Sequence, residues 1–236
     1  MEETKKKGLN TSSNSYTIIY SVVIVVVVAF LLAFVSSTLK PQQDENVALD
    51  KKKQILAALN IRDIDGAEAT EQYNKVVTAD KIIDRNGEEV EAGKQGGTEA
   101  GFLCNSTSTK EGKLALYVCN VDGETKYVIP VYGMGLWGGI SGFIAVDADN
   151  NTIYGVYFNH EGETAGLGAE IKDNLKWQQK FQGKKIHKDG VEGIALGVEK
   201  DAPASDPNNV DAVTGATLTS DGVDAMLKEG LAKFIK

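Results

Sequence analysis

The sequence predicts an α+β protein, with a single N-terminal transmembrane helix followed by a globular domain that has a mainly antiparallel sheet flanked by helices. Three features support this class. Residues 18–35 form an uncharged apolar run, alternating segments separated by tight-turn dipeptides fill the middle, and an amphipathic segment closes the chain. The expected parts are a cytoplasmic tail at 1–15, the transmembrane helix at 16–38, a juxtamembrane helical segment at 39–75 and the domain at 76–236.

The apolar run is long enough to cross a membrane. At 1.5 Å per residue, residues 18–35 span roughly 27 Å, close to the thickness of a bilayer core of about 30 Å. The apolar core of a cleaved signal peptide is normally shorter, so an uncleaved anchor is favoured. Lysines at 5–7 and Lys40 nearly balance the positive-inside rule, and we expect the short tail inside the cell. Pro41 is expected to end the helix.

Strand-like segments in the middle of the chain alternate with turn signals. The turn signals are Asn86-Gly87, Asp122-Gly123 and Asp149-Asn150. The strands are expected at 75–84, 114–120, 125–132, 140–146 and 152–158, with a loop at 91–112. Because consecutive strands are joined by short turns, the sheet should be antiparallel.

Helical segments dominate the last third of the chain. A helix is expected at 169–181, with an apolar face made of Ile171, Leu175, Trp177 and Phe181. A strand should follow at 193–199 and a polar loop after it. The C-terminal helix is expected to begin after Ser220, with Thr219 or Ser220 as its capping residue.

Composition argues against several classes of function. The 236 residues carry a net charge of −8, so no basic surface offsets phosphate repulsion and nucleic acid is not an expected partner. Two cysteines and two histidines are too few and too dispersed for a Cys/His metal site, and no metal is expected. Cys104 and Cys119 are expected to be free thiols, although an exported domain would permit a disulfide.

Two glycine-rich segments flank the third predicted hairpin. The first contains Gly133-x-Gly135-x-x-Gly138, but a strand follows it where a dinucleotide site needs a helix, so we reject a Rossmann site. Its glycines instead suit close backbone approach at a sheet end, with Trp137 over a cavity. In the second segment, His160 and Glu163 suit acid–base chemistry or a metal, but a capped loop is the favoured interpretation.

Residues 211–220 collect small residues and hydroxyl groups just before the last helix. The hydroxyls belong to Thr214, Thr217, Thr219 and Ser220, and the small residues between the first two are Gly215 and Ala216. Hydroxyls and backbone N–H groups at a helix start form a cradle for phosphate. The stretch has no Walker lysine and no Gly-x-Ser-x-Gly elbow, which argues against a nucleotidase and a serine hydrolase. A phosphate esterified to a threonine fits these residues.

The motif Asp211-x-x-Thr214-Gly215-Ala216-Thr217 resembles the flavinylation motif Asp-x-x-Ser/Thr-Gly-Ala-Thr of FMN-binding domains. In that family the last threonine carries FMN through a phosphoester made by a flavin transferase from FAD. The resemblance therefore implies covalent FMN on Thr217.

The wider chain resembles one family that contains this domain. The anchor, the segment 51–56, Gly135-Leu136-Trp137-Gly138 and Glu163-Thr164-x-Gly166-Leu167-Gly168 are all similar to the family of C subunits of the sodium-translocating NADH:quinone reductases. The G subunit of Rnf-type electron-transport complexes shares the FMN domain and is the alternative. An anchored non-redox binding domain, or a hydrolase that uses His160 and Glu163, are the alternatives from other classes.

The resemblance implies an electron-carrier subunit of a membrane NADH:quinone oxidoreductase, not catalytic alone, whose electron transfer through FMN is coupled to sodium export. The domain would face the periplasm at the bacterial inner membrane. Its partners would be the other subunits of the complex, including the flavoprotein known as the B subunit, and the flavin transferase during maturation.

Further residues are assigned around Thr217 on physical grounds. Thr214 and Thr219 are candidate donors to phosphate or ribityl oxygens, and Asp211 is expected to be a recognition or loop-shaping residue, because its carboxylate would repel a phosphate. The residues expected to leave the approach open are Gly215 and Ala216. Those expected to meet the flavin ring are Trp137, Glu163, Thr164 and Leu167, for which sheet-end packing is the open alternative.

Overall fold

A computed structural model describes residues 11–235, and the chain divides into two compact units at Ala48/Leu49. Helix α1 (Asn14–Ala58) begins in the first unit and ends in the second. Among the described residues it is the one helix long and apolar enough to cross a bilayer, which agrees with the predicted anchor. The lysines at 5–7, on which the expected orientation partly depends, lie outside the described residues.

Helix α1 continues through Pro41, so the expectation that this proline ends the helix was wrong. Proline removes one backbone donor from the helix, but the residues beyond it are mostly good helix formers such as Gln, Glu, Ala, Leu and Lys. Lys40 also pairs across the proline with Asp44, one turn further on, at 3.5 Å. These local preferences extend the helix through the position at which one hydrogen bond is lost.

The second unit starts with two helical segments that cover the sheet. The end of α1 buries Ile55 and Leu56, as the amphipathic spacing predicted. Helix α2 (Gly66–Val76) begins at the N-cap residue Asp65, whose carboxylate accepts a hydrogen bond from the backbone N–H of Glu68 at 2.9 Å.

Six strands form one antiparallel sheet in the order β2-β1-β3-β4-β5-β6. They are β1 (Val77–Ile83), β2 (Glu89–Glu91), β3 (Leu114–Val121), β4 (Glu124–Met134), β5 (Gly139–Asp147) and β6 (Ile153–His160). The predicted mainly antiparallel sheet and its three hairpins are confirmed. Gly87, Asp122, Gly123 and Asn150 in the predicted turns all have positive φ, as tight hairpins require.

Strand β4 extends beyond its neighbour β3. The last pair between these strands is Tyr117 with Val128, whereas β4 stays paired with β5 as far as Met134 and Gly139. Pro130 lies two residues past that last pair and has no N–H with which to continue the ladder. At this end the sheet therefore consists of β4, β5 and β6 only, and the loop containing Trp137 joins β4 to β5 there.

Residues 91–112 are more ordered than the predicted loop. They contain a 3₁₀ turn (Gly101–Leu103) and the short helix α3 (Ser106–Lys110). The loop before them is organised by the buried carboxylate of Asp80, which accepts hydrogen bonds from the backbone N–H groups of Lys94, Ala100 and Phe102 at 3.1–3.3 Å. The sequence pattern does not reveal this, because Asp80 is an inward-facing polar residue in a strand.

The two cysteines are buried and free. Burial raises the pKa of the Cys119 thiol to about 12 and also raises that of Cys104 above its usual range. Lys51 of α1 lies near Cys104 and donates to its carbonyl oxygen at 3.0 Å, and burial lowers the pKa of this lysine to about 8.

The predicted helix at 169–181 is interrupted. Helices α4 (Glu170–Asp173) and α5 (Leu175–Gln179) are separated by Asn174, whose side chain caps α5 through the N–H of Trp177 at 3.1 Å. Asparagine favours such a cap over a helix interior. Ile171, Trp177 and Phe181 are buried as predicted, but Leu175 is 40% exposed because the break rotates it away from the core.

The predicted strand at 193–199 is shorter than expected. Only β7 (Gly197–Glu199) forms, and it pairs in parallel with β8 (Asn209–Asp211), a strand that the polar sequence did not predict. Strand β8 leads directly into the hydroxyl-rich stretch.

Helix α6 (Thr217–Leu231) begins at Thr217, so the expected start after Ser220 and the capping role of Thr219 or Ser220 were wrong. Both hydroxyls lie inside the first turn and are buried, and Ala216 at the N-cap has no side chain that could cap. The remainder of the helix packs on β4, with Val223, Leu227 and Leu231 in the core as predicted.

Glycine allows α6 to lie against β4 at very short range. A Cβ atom at Gly222 would lie 2.2 Å from the carbonyl oxygen of Met134, and one at Gly133 would lie 2.7 Å from the Cβ of Met226. Contacts this short would force the helix away from the strand.

We expect Gly222→Ala to destabilise the protein by about 1–3 kcal/mol, because the new methyl group overlaps the Met134 carbonyl. Helix propensity alone would favour alanine by about 1 kcal/mol, so a net loss of stability would have to come from the close contact between the helix and the strand. Thermal unfolding of the purified chain in detergent measures the effect. Gly162→Ala is the control, since the nearest atom to its Cβ is 4.0 Å away. Equal melting temperatures for Gly222→Ala and wild type would contradict this packing.

Candidate functional site

An open cavity of about 420 Å³ lies at the N-terminal end of α6. It collects every predicted site residue except Thr214, which precedes Gly215 in the same loop. The lining residues are Leu136, Trp137, Glu163, Thr164, Leu167, Gly168, Gly215, Ala216, Thr217, Leu218 and Thr219. The structure thus brings together three segments that are far apart in the sequence.

The four hydroxyls of the stretch 211–220 fall into two pairs. Thr219 and Ser220 are each 1% exposed and serve the fold: Thr219 donates to Glu163 Oε2 at 2.6 Å, and Ser220 Oγ accepts from the Val213 N–H at 3.1 Å. Thr214 and Thr217 are exposed, and their hydroxyls have no hydrogen-bond partner in the part of the chain that the structure describes. Only the second pair is free to react or to bind.

Thr217 combines an accessible hydroxyl with the positive end of a helix. It is the first residue of α6, and the opening N–H groups of a helix have no partner within it. Ala216 supplies no side-chain cap, so these donors remain available to an anion. The preceding Gly215 has φ of +78°, and a Cβ there would lie 3.0 Å from Leu167 Cδ2.

Glu163 is placed within the wall of the cavity. It is 7% exposed, and its carboxylate accepts from the backbone N–H of Trp137 at 2.8 Å as well as from Thr219. A Cβ on Gly135 would lie 2.5 Å from Oε1, and one on Gly168 would lie 2.4 Å from Oε2. The two glycine-rich loops therefore leave just enough room for this carboxylate, and it joins both of them to α6.

His160 does not pair with the Glu163 carboxylate. Its Nδ1 accepts a hydrogen bond from the backbone N–H of Glu163 at 3.2 Å, while the carboxylate bonds to Trp137 and Thr219. The histidine thus caps the loop backbone and gives no acid–base pair, but the acids do not cap the next helix as expected, because Ala169 at the N-cap of α4 receives no side-chain hydrogen bond. Among the described residues no cluster of His, Cys, Asp or Glu is arranged to hold a metal ion.

The cavity presents large apolar side chains to solvent. Trp137 is 69% exposed, Leu218 59%, Leu136 49% and Leu167 44%. Apolar groups clustered around one opening mark a place where another molecule binds. A planar aromatic ring would fit such walls.

Strand β8, which leads into the loop that contains Thr214 and Thr217, is fixed by contacts of Asp211 and Trp177. The sequence predicted Trp177 only as a core residue. The Asp211 carboxylate accepts from the backbone N–H of Asp201 at 2.9 Å, in line with the loop-shaping role expected for it. Its carbonyl accepts from the indole Nε1 of Trp177 at 2.8 Å. No local sequence signal marks this second contact, which joins residues 34 positions apart.

The FMN-binding domain family matches residues 135–232, a range that contains all the cavity residues. The loop, the cavity and the exposed hydroxyl thus belong to a protein with an FMN-binding domain.

The comparisons with whole proteins are more specific. The C subunit of the Na(+)-translocating NADH-quinone reductase from Haemophilus ducreyi is 36% identical over 213 residues, which cover 84% of this chain and 81% of the relative. The same subunit from Pseudomonas aeruginosa is 31% identical over 247 residues, covering 95% and 94%. This chain belongs to the family of C subunits of the Na(+)-translocating NADH-quinone reductases.

Solved structures agree with this assignment. The structure of the C subunit from Parabacteroides distasonis superposes with a TM-score of 0.75 at 37% identity and covers 83% of this chain and 94% of that one. The structure of Shewanella oneidensis NqrC gives a TM-score of 0.62 at 26% identity, with 75% and 88% coverage. The predicted fold class is therefore confirmed.

The division of the hydroxyls leads to a prediction about stability. In protein without a cofactor, Thr219→Val and Ser220→Ala should each cost about 1–2 kcal/mol, because each leaves a buried partner unsatisfied. Thr214→Ala and Thr217→Ala should lie within about 0.5 kcal/mol of wild type, since both side chains are exposed. Denaturation midpoints of the four variants measure this. Similar losses for all four would contradict the division into structural and free hydroxyls.

Proposed function

We propose that this chain is an electron-carrier subunit of a sodium-translocating NADH:quinone reductase and carries FMN as a phosphoester on the hydroxyl of Thr217. The observation that carries the proposal is the exposed Thr217 hydroxyl, which has no partner among the described residues and opens α6 at the edge of an apolar cavity. Membership of the C-subunit family and the match to the FMN-binding domain support it.

The residues present fit the two halves of FMN. The uncapped start of α6 offers backbone N–H donors to a phosphate, and Thr214 adds an exposed hydroxyl nearby. The exposed Trp137 and Leu167 suit the faces of a planar ring. Thr219 was expected to donate to the cofactor, but its hydroxyl already bonds to Glu163, so we assign it to the support of the site.

A covalent link to the phosphate suits a cavity that has no cationic side chain in its lining. Lys, Arg and His are absent from the residues that line the cavity, so a free phosphate would be held only by backbone dipoles. Esterification to Thr217 removes the need for a cationic partner. In the transfer, the threonine oxygen forms a bond to the FMN phosphorus of FAD, the bond between the two phosphates breaks, and AMP leaves with the threonine proton released to solvent.

The openness of the cavity suits a carrier better than an enzyme that works alone. FMN, when bound, supplies reversible one-electron and two-electron chemistry. The protein holds the cofactor by one end and leaves an exposed apolar surface around it, where a donor and an acceptor can approach in turn. We propose that the donor is an upstream carrier of the complex, that the acceptor is the flavin of the B subunit, and that sodium export takes place elsewhere in the assembly.

The N-terminal part of α1 serves as the anchor in this proposal. Its long apolar segment crosses the bacterial inner membrane once, and the domain lies on the periplasmic side. A flavin transferase that acts there would reach Thr217 directly, because the residue is exposed.

The attachment site is tested by mass spectrometry. After co-expression with a flavin transferase, the peptide that contains Thr217 should gain the mass of FMN less one water, and Thr217→Ala should abolish the gain. Thr214→Ser is the matched control, because the motif accepts Ser or Thr at this position, and it should leave the modification in place. An unmodified wild-type peptide, or FMN retained in Thr217→Ala, would contradict the proposal.

The orientation is tested separately in intact cells. Alkaline phosphatase fused after the C-terminus should be active, since it folds only when exported, and the same fusion placed before the anchor should be inactive. The reverse pattern would place the domain in the cytoplasm and contradict the proposed localisation.

A further inference from the structure

The cavity at the start of α6 contains the carboxylate of Glu163, and hydrogen bonds hold this charged group in a fixed position. Both oxygens of Glu163 are hydrogen-bonded, to the backbone of Trp137 and to the hydroxyl of Thr219, and the side chain is almost fully buried. The absence of side chains at Gly135 and Gly168 makes room for it. The carboxylate therefore cannot swing out to solvent without breaking both hydrogen bonds.

This charge has no positive counterpart among the residues that line the cavity. The remainder of the lining is apolar, hydroxyl-bearing or glycine. The positive end of α6 lies at Thr217, where in the proposed function it faces the phosphate, which is itself negative. A ring in this cavity thus meets a fixed carboxylate with no cationic side chain beside it.

We propose that Glu163 lowers the reduction potential of the flavin carried by Thr217, because it places a fixed negative charge in the wall against which the ring lies. The inference rests on the proposed function. An electron added to the oxidised ring leaves a negative charge there until a proton from solvent follows. A neighbouring carboxylate raises the free energy of that charged form more than that of the neutral oxidised ring. The electron comes from the upstream carrier in the complex, or from dithionite in a titration.

A purely mechanical role for Glu163 is the competing explanation, since the same two hydrogen bonds tie the Trp137 loop to α6. Glutamine separates the two roles. Its carbonyl oxygen can accept from the Trp137 N–H, and its amide can donate to the Thr219 hydroxyl, which then becomes the acceptor. Glu163→Gln therefore preserves both contacts and removes only the charge.

The experiment is a potentiometric titration of the flavinylated full-length chain in detergent, with dithionite as reductant and the flavin absorbance as readout. In Glu163→Gln we expect the equilibrium to move about tenfold toward reduced flavin, which equals about 59 mV for a one-electron step. Thr219→Val should move it in the opposite direction, because the carboxylate loses the hydroxyl that shares its charge.

Glu161→Gln is the matched control. Glu161 is exposed, lies two residues away and accepts from the backbone N–H of Gly139 at 3.2 Å, so its replacement should leave the potential unchanged. A wild-type potential in Glu163→Gln, or an equal shift in Glu161→Gln, would overturn the inference.

Mass spectra of the same samples distinguish a failure of the proposed function from a failure of the role of Glu163. Absence of FMN from the Thr217 peptide of the wild type contradicts the proposed function, and with it this inference. Normal FMN content with an unchanged potential contradicts only the role of Glu163. If Glu163→Gln fails to fold, Thr219→Val decides, and an unchanged or raised potential in that variant overturns the inference.

Discussion

The close approach of α6 to β4 is the constraint on which the rest of the domain depends. A Cβ atom at Gly222 would lie 2.2 Å from the carbonyl oxygen of Met134, which is closer than real Cβ atoms come to other atoms. Glycine has no Cβ, so the helix can lie this close to the strand. The contact fixes the first turn of the helix beside the tip of the β4–β5 hairpin. Thr217 and Trp137 thereby become neighbours, although 80 positions (217 − 137) separate them in the sequence. The cavity is therefore formed by the placement of the helix and the hairpin, and no loop has to close over it.

Hydrogen bonds to one carboxylate form a second link between α6 and the β4–β5 hairpin. Thr219, in the first turn of α6, bonds to Glu163, and Glu163 bonds to the backbone of Trp137, so that three separate segments share one buried carboxylate. Each hydrogen bond to a charged group contributes about 1.5–3 kcal/mol, which is a sizeable fraction of the roughly 5–15 kcal/mol by which a domain is stable. The free hydroxyl of Thr217 lies two residues from this fixed point. A rigid frame therefore lies beside an accessible hydroxyl.

Much of the fold could be predicted because its signals are local. Turn residues such as Gly87 and Asn150 adopt positive φ whatever surrounds them, and the alternation of the strands they join follows from burial of one face. The site residues around Thr217 could be assembled from a motif and its spacing, and all but Thr214 line one cavity. Some errors lie where distant partners decide the outcome, as for strand β8, which pairs with β7 and is bonded by Trp177. Others concern local signals: Asn174 caps a helix that it was expected to continue, and Pro41 lies inside α1. Thr219 donates its hydroxyl to Glu163, which lies 56 positions earlier in the sequence, so no local pattern reveals this contact.

The end of the β3–β4 ladder near Pro130 has a mechanical consequence. Beyond Val128, β4 has a strand partner on one side only, whereas β5 stays paired on both sides as far as Ile140. The other side of β4 is covered by α6, which lies against it at Gly133 and Gly222. The same helix thus carries Thr217 and supports the strand that leads to Trp137, so a change that displaces α6 would alter both walls of the cavity at once.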